Sequence, residues 1–178
     1  MSTIRYFAYG SNMLTQRLQK RCKSARALGP AWVDGYDLVF HKRSKDGSGK
    51  ATLIKADGAA ARVYGVIFSV DPKEKAELDR AEGAGYACHK DFRVFSDPAT
   101  PVEVITYIAV SGASDAALVP YDWYRDLVVA GAQQHALPHE YVKGLQALAA
   151  NTDPIADRPE RLAARELLGK GHDHHEAS

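Results

Sequence analysis

Ile4-Arg5-Tyr6-Phe7-Ala8-Tyr9-Gly10-Ser11-Asn12-Met13 is apolar and aromatic in its first half and broken by small polar residues in its second. Ile4 to Tyr9 reads as a β-strand bounded by a turn signal. Gly10-Ser11-Asn12 ends it. Leu14, Leu18 and Cys22 then recur at i, i+4 and i+8, which predicts a helix over 14–22. A strand, a turn of small residues and a helix N-terminus, met in that order, make a pocket for an anion or an oxyanion. Gly10 has no Cβ, so a ligand can approach the backbone. The first N–H groups of a helix lack internal partners and sit at the positive end of its dipole. Ser11 or Asn12 can cap the helix or bind the ligand. An ordinary first strand turning into a capped helix has the same local pattern.

Further along, Ala25 to Trp32 reads as a connector or short strand, and Tyr36 to Lys42 as a strand with Tyr36, Leu38 and Phe40 on one face. Arg43 to Lys50 is a polar loop, a hairpin connection with the basic residues and glycines of a lid. Ala51 to Ala56 is a short strand, and Arg62 to Val70 a strongly apolar one. Asp71-Pro72-Lys73-Glu74 starts a helix, with Asp71 as N-cap, Pro72 in the first turn and Glu74 completing a capping box. Gly83 and Gly85 stop it. Strands follow over 86–95 and 102–110, then helices over 121–135, from Pro138 onward, and from Pro159 to Leu168, ended by Gly169.

Strands fill the first two-thirds and helices the remainder, without regular alternation, so a doubly wound sheet is not expected. The pattern predicts an α+β fold: a mixed or antiparallel sheet closed into a small β-barrel, with helices packed outside. Residues 1–169 form one domain, and 170–178 a polar, disordered tail. With 178 residues, 46% of them hydrophobic and 25% charged, the chain has an ordinary globular balance. A net charge of +1 argues against nucleic acid and membrane surfaces as partners. No run of 18 apolar residues or basic-then-apolar leader occurs, so a cytoplasmic location is expected. Cys22 and Cys88 read as free thiols.

Glu82 is the candidate acid/base. It follows Leu78 by four residues, on the apolar side of its helix, in the last turn where the dipole disfavours a carboxylate. Burial acts the same way, raising the pKa above the roughly 4.3 of a free Glu. A group that shuttles a proton near neutrality needs such a shift. Gly83 and Gly85 beside it leave room for a ligand. A partly exposed glutamate ending a surface helix has the same local sequence.

Tyr-Phe-Ala-Tyr-Gly-Ser-Asn-Met over 6–13 resembles the signature of the γ-glutamylcyclotransferase family. Leu78-Asp79-Arg80-Ala81-Glu82-Gly83, followed by Tyr86, resembles that family's second motif, about seventy residues after the first. Thr106-Tyr107-Ile108 is similar to a late family strand. Tyr124, with Gly131-Ala132, Leu137-Pro138 and Glu140-Tyr141, resembles its C-terminal helix pair. The resemblance spans Tyr6 to about Leu168. It departs at the tail and in Ala84-Gly85-Tyr86, where substrate subclasses of the family vary.

The resemblance implies cleavage of a γ-glutamyl amide by cyclisation to 5-oxoproline, with Glu82 as catalytic acid/base. It implies a glutamyl pocket lined by Tyr6, Phe7, Ala8, Tyr9, Gly10, Ser11 and Asn12, closed by the hydroxyl of Tyr124. The partner is a small γ-glutamyl molecule. The nucleophile is the substrate's own amine, so no cofactor is required and no metal ligand set is expected. The His-rich tail with His172, His174 and His175 is compositional, and Pro138 interrupts the His135/His139 spacing. Several readings stay open. The leaving group is an amino acid or peptide, a γ-glutamylamine such as γ-glutamyl-ε-lysine, or the remainder of glutathione. A module that binds a small anion without turnover fits the same turn. A nucleotide site does not, because Gly10-Ser11-Asn12 lacks the lysine and the glycine spacing of phosphate loops.

Overall fold

A computed structural model describes residues 3–58 and 60–170. The strands are β1 (Ile4–Ala8), β2 (Arg26–Asp34), β3 (Tyr36–Arg43), β4 (Gly49–Lys55), β5 (Arg62–Val70), β6 (Tyr86–Phe95) and β7 (Pro101–Ala109), with short helical segments after β1 and after β5. Helices α1 (Thr15–Gln19), α2 (Lys75–Glu82), α3 (Asp122–Gln134), α4 (His139–Gln146) and α5 (Pro159–Lys170) complete the chain. The architecture is α+β. Five strands close into a barrel in the order β1-β5-β2-β6-β7, and β3 and β4 form a separate two-stranded sheet. Closure removes the exposed edges that an open sheet would present.

β5 is the spine of the barrel. It runs antiparallel to β1, with Tyr6 opposite Phe68, and antiparallel to β2, with Ala31 opposite Gly65. Its Val63, Val66, Ile67, Phe68 and Val70 are buried, as its continuous apolar run requires. The closing seam joins β1 to β7 in parallel at Tyr6 and Ile105. Side chains reinforce that seam. Thr106 Oγ1 donates to the Phe7 carbonyl at 2.9 Å, and the Tyr9 hydroxyl donates to the Tyr107 carbonyl.

Several expectations are corrected. The connector over 25–32 is a full nine-residue strand, because a bulge at Gly29 (φ +140°) absorbs the Gly29-Pro30 irregularity. The predicted helix over 14–22 is a 3₁₀ turn, Ser11–Met13, followed by only five α-helical residues. Leu14 is extended (ψ 109°) and breaks the two apart. Leu14, Leu18 and Cys22 nevertheless all point into the core. Glu74 does not close a capping box on its own helix. Its carboxylate accepts from the Lys23 and Ser24 backbone N–H groups and from Ser24 Oγ, tying the segment after α1 to the start of α2. Asp71 does act as the N-cap, accepting from Lys73 N–H at 2.9 Å. At the far end, α5 runs through Gly169 to Lys170. His172, His174 and His175, with the rest of the tail from 171 onward, lie outside the described residues.

The barrel mouth is closed by α3. Its Trp123, Tyr124, Leu127, Val128, Gly131 and Ala132 are buried. Gly131 sets how near it comes. A Cβ there would lie 2.6 Å from Leu14 N and 2.7 Å from Met13 Cβ. The helix therefore rests directly on the 3₁₀ turn. The β3–β4 hairpin docks on the same side through Ala51 and Thr52, where Thr52 Oγ1 accepts from Ala109 N–H at 2.9 Å. Cys22 is buried, Cys88 half-buried, and both are free thiols. No helix among the described residues is long and apolar enough to cross a membrane.

Candidate active site

Three elements meet at one end of the barrel: the turn after β1, the last residue of α2, and the β3–β4 hairpin backed by α3. They border a small, partly open pocket. Tyr6, Tyr9, Gly10, Ser11, Asn12, Glu82 and Tyr124 line it, together with Arg21, Ala51, Tyr86 and Tyr107. Phe7 and Ala8 do not reach it. Strand alternation turns Phe7 into the barrel, where it is fully buried, and Ala8 is buried beside it.

Glu82 ends α2, and Gly83 (φ +81°) turns the chain away from it. Its Oε1 accepts from Asn12 Nδ2 at 2.8 Å and from the Tyr6 hydroxyl at 3.1 Å. Asn12 Nδ2 also donates to the Tyr6 hydroxyl at 3.1 Å, and Asn12 Oδ1 accepts from Arg21 Nη1 at 2.9 Å. The carboxylate is thus bonded directly to the turn that follows β1. Burial raises the Glu82 pKa. Arg21, the Tyr6 hydrogen bond, Arg17 and the Asn12 hydrogen bond oppose it, and burial wins. Burial likewise holds the Tyr6, Tyr9, Tyr86 and Tyr124 phenols above their ordinary value, with the Glu82 charge adding to the effect. Their hydroxyls stay protonated at neutral pH and act as donors or neutral acceptors.

The turn departs from its predicted form in one respect. Neither Ser11 nor Asn12 caps a helix. Asn12 faces Glu82, and Ser11 Oγ accepts from Arg17 Nε at 3.0 Å. A helix of five residues also has little dipole to offer. Positive potential at this end comes from the Arg17 and Arg21 guanidiniums. Space is tight at Gly10: a Cβ would sit 3.0 Å from Ala51 Cβ and 3.4 Å from the Tyr124 hydroxyl, so one wall would have to give by a few tenths of an ångström. The two walls approach so closely that any side chain would fill the gap.

The hairpin wall is held at one residue. Ala51 N–H donates to the Tyr124 hydroxyl at 3.2 Å, and the Tyr86 hydroxyl donates to the Ala51 carbonyl at 2.6 Å. Tyr107 packs edge-on to Tyr6, with centroids 5.8 Å apart, and donates to Asp79 Oδ1 at 2.6 Å. Sequence reasoning assigned no site role to Arg21, Ala51, Tyr86 or Tyr107. Tyr86 and Tyr107 were visible as members of the two later motifs. Arg21 and Ala51 sit in segments with no compositional mark. Among the described residues no group of three or more His, Cys, Asp or Glu side chains converges to hold a metal.

The AIG2-like family model matches residues 62–145. γ-Glutamylcyclotransferases of Bos taurus and Homo sapiens are each 28% identical to this chain, over 151 and 153 residues, covering 82% of it and 79% of their own lengths. A solved γ-glutamyl cyclotransferase structure superposes with a TM-score of 0.82 at 24% identity, covering 93% of this chain and 99% of that one. At that identity the likeness speaks for the fold.

Proposed function

We propose that the chain is a γ-glutamylcyclotransferase of the AIG2-like family, a reading that its family-model match and its 28% identical relatives support, and that it releases 5-oxoproline from γ-glutamyl amino acids or short peptides. The observation that carries this reading is Glu82, bonded to Tyr6 and Asn12 within a pocket whose facing wall is the Gly10-Ser11 turn. No side-chain nucleophile is needed. The substrate's α-amine attacks its own γ-carbonyl carbon, a C–N bond forms to close the five-membered ring, and the original amide C–N bond breaks. Glu82 takes a proton from the attacking amine and delivers it to the departing nitrogen. A carboxyl whose pKa is raised by burial suits both transfers.

Positioning does much of the remaining work. The amine and the carbonyl belong to one flexible chain, and holding them together converts a floppy encounter into a near-attack geometry. Backbone N–H groups at Gly10 and Ser11 would hold the substrate carboxylate or the developing oxyanion. Losing one such donor typically costs about 2.7–4 kcal/mol. Tyr124 would close the glutamyl side with its hydroxyl. Phe7 and Ala8 act only from behind, by fixing the strand that presents the turn. A cytoplasmic location goes with this reading, and cell fractionation against a cytoplasmic marker checks it.

The deciding experiment is 5-oxoproline release from a panel of γ-glutamyl dipeptides, with wild type beside Glu82→Gln. Wild type is expected to release it, and the folded variant to be slower by roughly 10²–10⁴-fold. Silence of the wild type on every donor would favour a small-anion binding module. Equal release by both proteins would remove Glu82 as the proton carrier.

A further inference from the structure

Resting on the cyclotransferase reading, we propose that Lys42 selects the departing amine, by pairing its ammonium with a carboxylate on the carbon next to the leaving nitrogen. Lys42 stands near the end of β3 and crosses over Gly85. A Cβ at Gly85 would lie 2.5 Å from Lys42 Cε and 3.0 Å from Nζ. The space that Gly85 leaves is therefore occupied by this side chain, while that at Gly83 is open. Its Nζ comes to rest 4.9 Å from the centroid of the Tyr86 ring, and Tyr86 lines the pocket. Lys42 is not itself a lining residue; its ammonium lies against the ring of Tyr86, which is one.

That cation is half-buried, and among the described residues no carboxylate forms an ion pair with it. The acids whose charges act on it are Glu82 and Asp46, and Lys45 acts against them. Asp46 is paired with Lys50 at 2.8 Å. Glu82 is held by Asn12 and Tyr6. A half-buried ammonium lying on an aromatic face is stabilised by the ring, but a ligand anion would stabilise it more. With the scissile bond placed between the turn and Glu82, as the cyclotransferase reading has it, a leaving group that follows the Tyr86 ring outward would meet Lys42. A γ-glutamyl amino acid carries a carboxylate one carbon from the leaving nitrogen. A simple γ-glutamylamine has none, γ-glutamyl-ε-lysine carries it several carbons further along, and in glutathione that carboxyl is tied up in a peptide bond. The charge of Lys42 separates these classes.

The test compares kcat/KM on γ-glutamyl-alanine and γ-glutamyl-ethylamide, which differ by that carboxylate. Wild type should prefer the alanine donor by about tenfold or more, the lower end for a hydrogen bond to a charged group. Lys42→Met and Lys42→Gln should bring the ratio close to one, and Lys42→Arg should keep most of it. Lys55→Met serves as the control, since Lys55 lies over Tyr36, 4.2 Å from its centroid, on the same hairpin. It should keep the wild-type ratio. A wild type without preference, or a ratio unchanged in both neutral Lys42 variants, overturns the proposal while leaving the cyclotransferase reading intact. A wild type that turns over neither of these donors nor any other overturns both.

Discussion

Asn12 has its amide fixed from both ends. Arg21 binds its oxygen, so its nitrogen must face Glu82 and Tyr6. A flipped amide would set two oxygen acceptors against each other. Arg21 is also the strongest influence opposing the rise of the Glu82 pKa. We expect Arg21→Met to free the amide and let that pKa climb further. If Glu82 works as the base proposed above, activity falls as pH drops through its pKa, and the acid limb of kcat/KM should move to higher pH. An unmoved limb in pH–rate profiles would separate Arg21 from Glu82. The same pKa bears on folding. A carboxyl raised in the folded state favours the fold below its unfolded pKa, and that contribution is lost as pH rises through the folded value. Glu82→Gln should therefore be at least as heat-stable as wild type at neutral pH, with any advantage vanishing in acid. Glu82 and Gly10 were legible in the sequence through the two motifs that resemble a known family, since the local pattern of each also fits an ordinary surface helix end and an ordinary strand-to-helix turn. Arg21 was not, since nothing in its neighbours distinguishes it from a surface arginine.

The elements holding these residues are short, and they rely on one another. α1 has five residues, too few to stand alone. It is kept in place by Leu14 and Leu18 in the core, by Gly131 of α3 beneath it, and by Thr15 N–H donating to Gln134 Oε1 at 2.9 Å. Gly131→Ala should force α3 away from Met13 and Leu14. Overpacking of this kind costs about 1–3 kcal/mol, and the displaced turn carries Asn12, so activity should fall more than stability. Denaturant melts beside 5-oxoproline assays read both. The β3–β4 hairpin depends on Ala51, bonded by Tyr124 on one side and Tyr86 on the other. Tyr86→Phe leaves the Ala51 carbonyl without its donor and should raise hydrogen exchange in 49–55 while the barrel strands stay protected. Uniform loss of protection would mean that the hairpin opens only with the whole fold. Lys50 belongs to the same support: its Nζ lies 4.5 Å from the Trp123 ring centroid and 4.6 Å from that of Tyr124, with Asp46 as counter-ion. The hairpin loop, whose composition also suits a lid, thus has a buried Ser48 and an anchored end.

Across the whole molecule, the C-terminal third is tied down by Asp153. Its buried carboxylate accepts from Arg158 through both oxygens and from Trp123 Nε1 at 2.9 Å. Arg161 Nη1 donates to its carbonyl. These bonds fix the loop between α4 and α5 against the N-terminal end of α3, one residue from Tyr124. The Arg158 hydrogen bonds hold the Asp153 pKa well below the usual carboxylate range. A group depressed in this way stabilises the fold above its unfolded pKa, and the contribution fades as pH falls toward the folded one. Asp153→Ala leaves Arg158 unpaired. Breaking a buried pair costs about 3–5 kcal/mol, and Arg158 is partly exposed at 15%, which favours the lower end. A drop in Tm on the order of 10 °C is expected at neutral pH, narrowing in acid; an unchanged Tm would deny the anchor. The sequence by itself determined the α+β class, most of the strands, the later helices and the two motifs around Gly10 and Glu82 that resemble those of one family, because periodicity, turn residues and local composition are properties of adjacent positions. Only the tertiary structure decided that β7 closes on β1, that Gly29-Pro30 is a bulge inside a strand, that Asn12 faces Glu82 rather than capping a helix, and that Arg21, Ala51 and Tyr86 share the pocket while Phe7 and Ala8 do not. These are contacts between residues far apart in the chain, and they are set by packing, which no local pattern encodes.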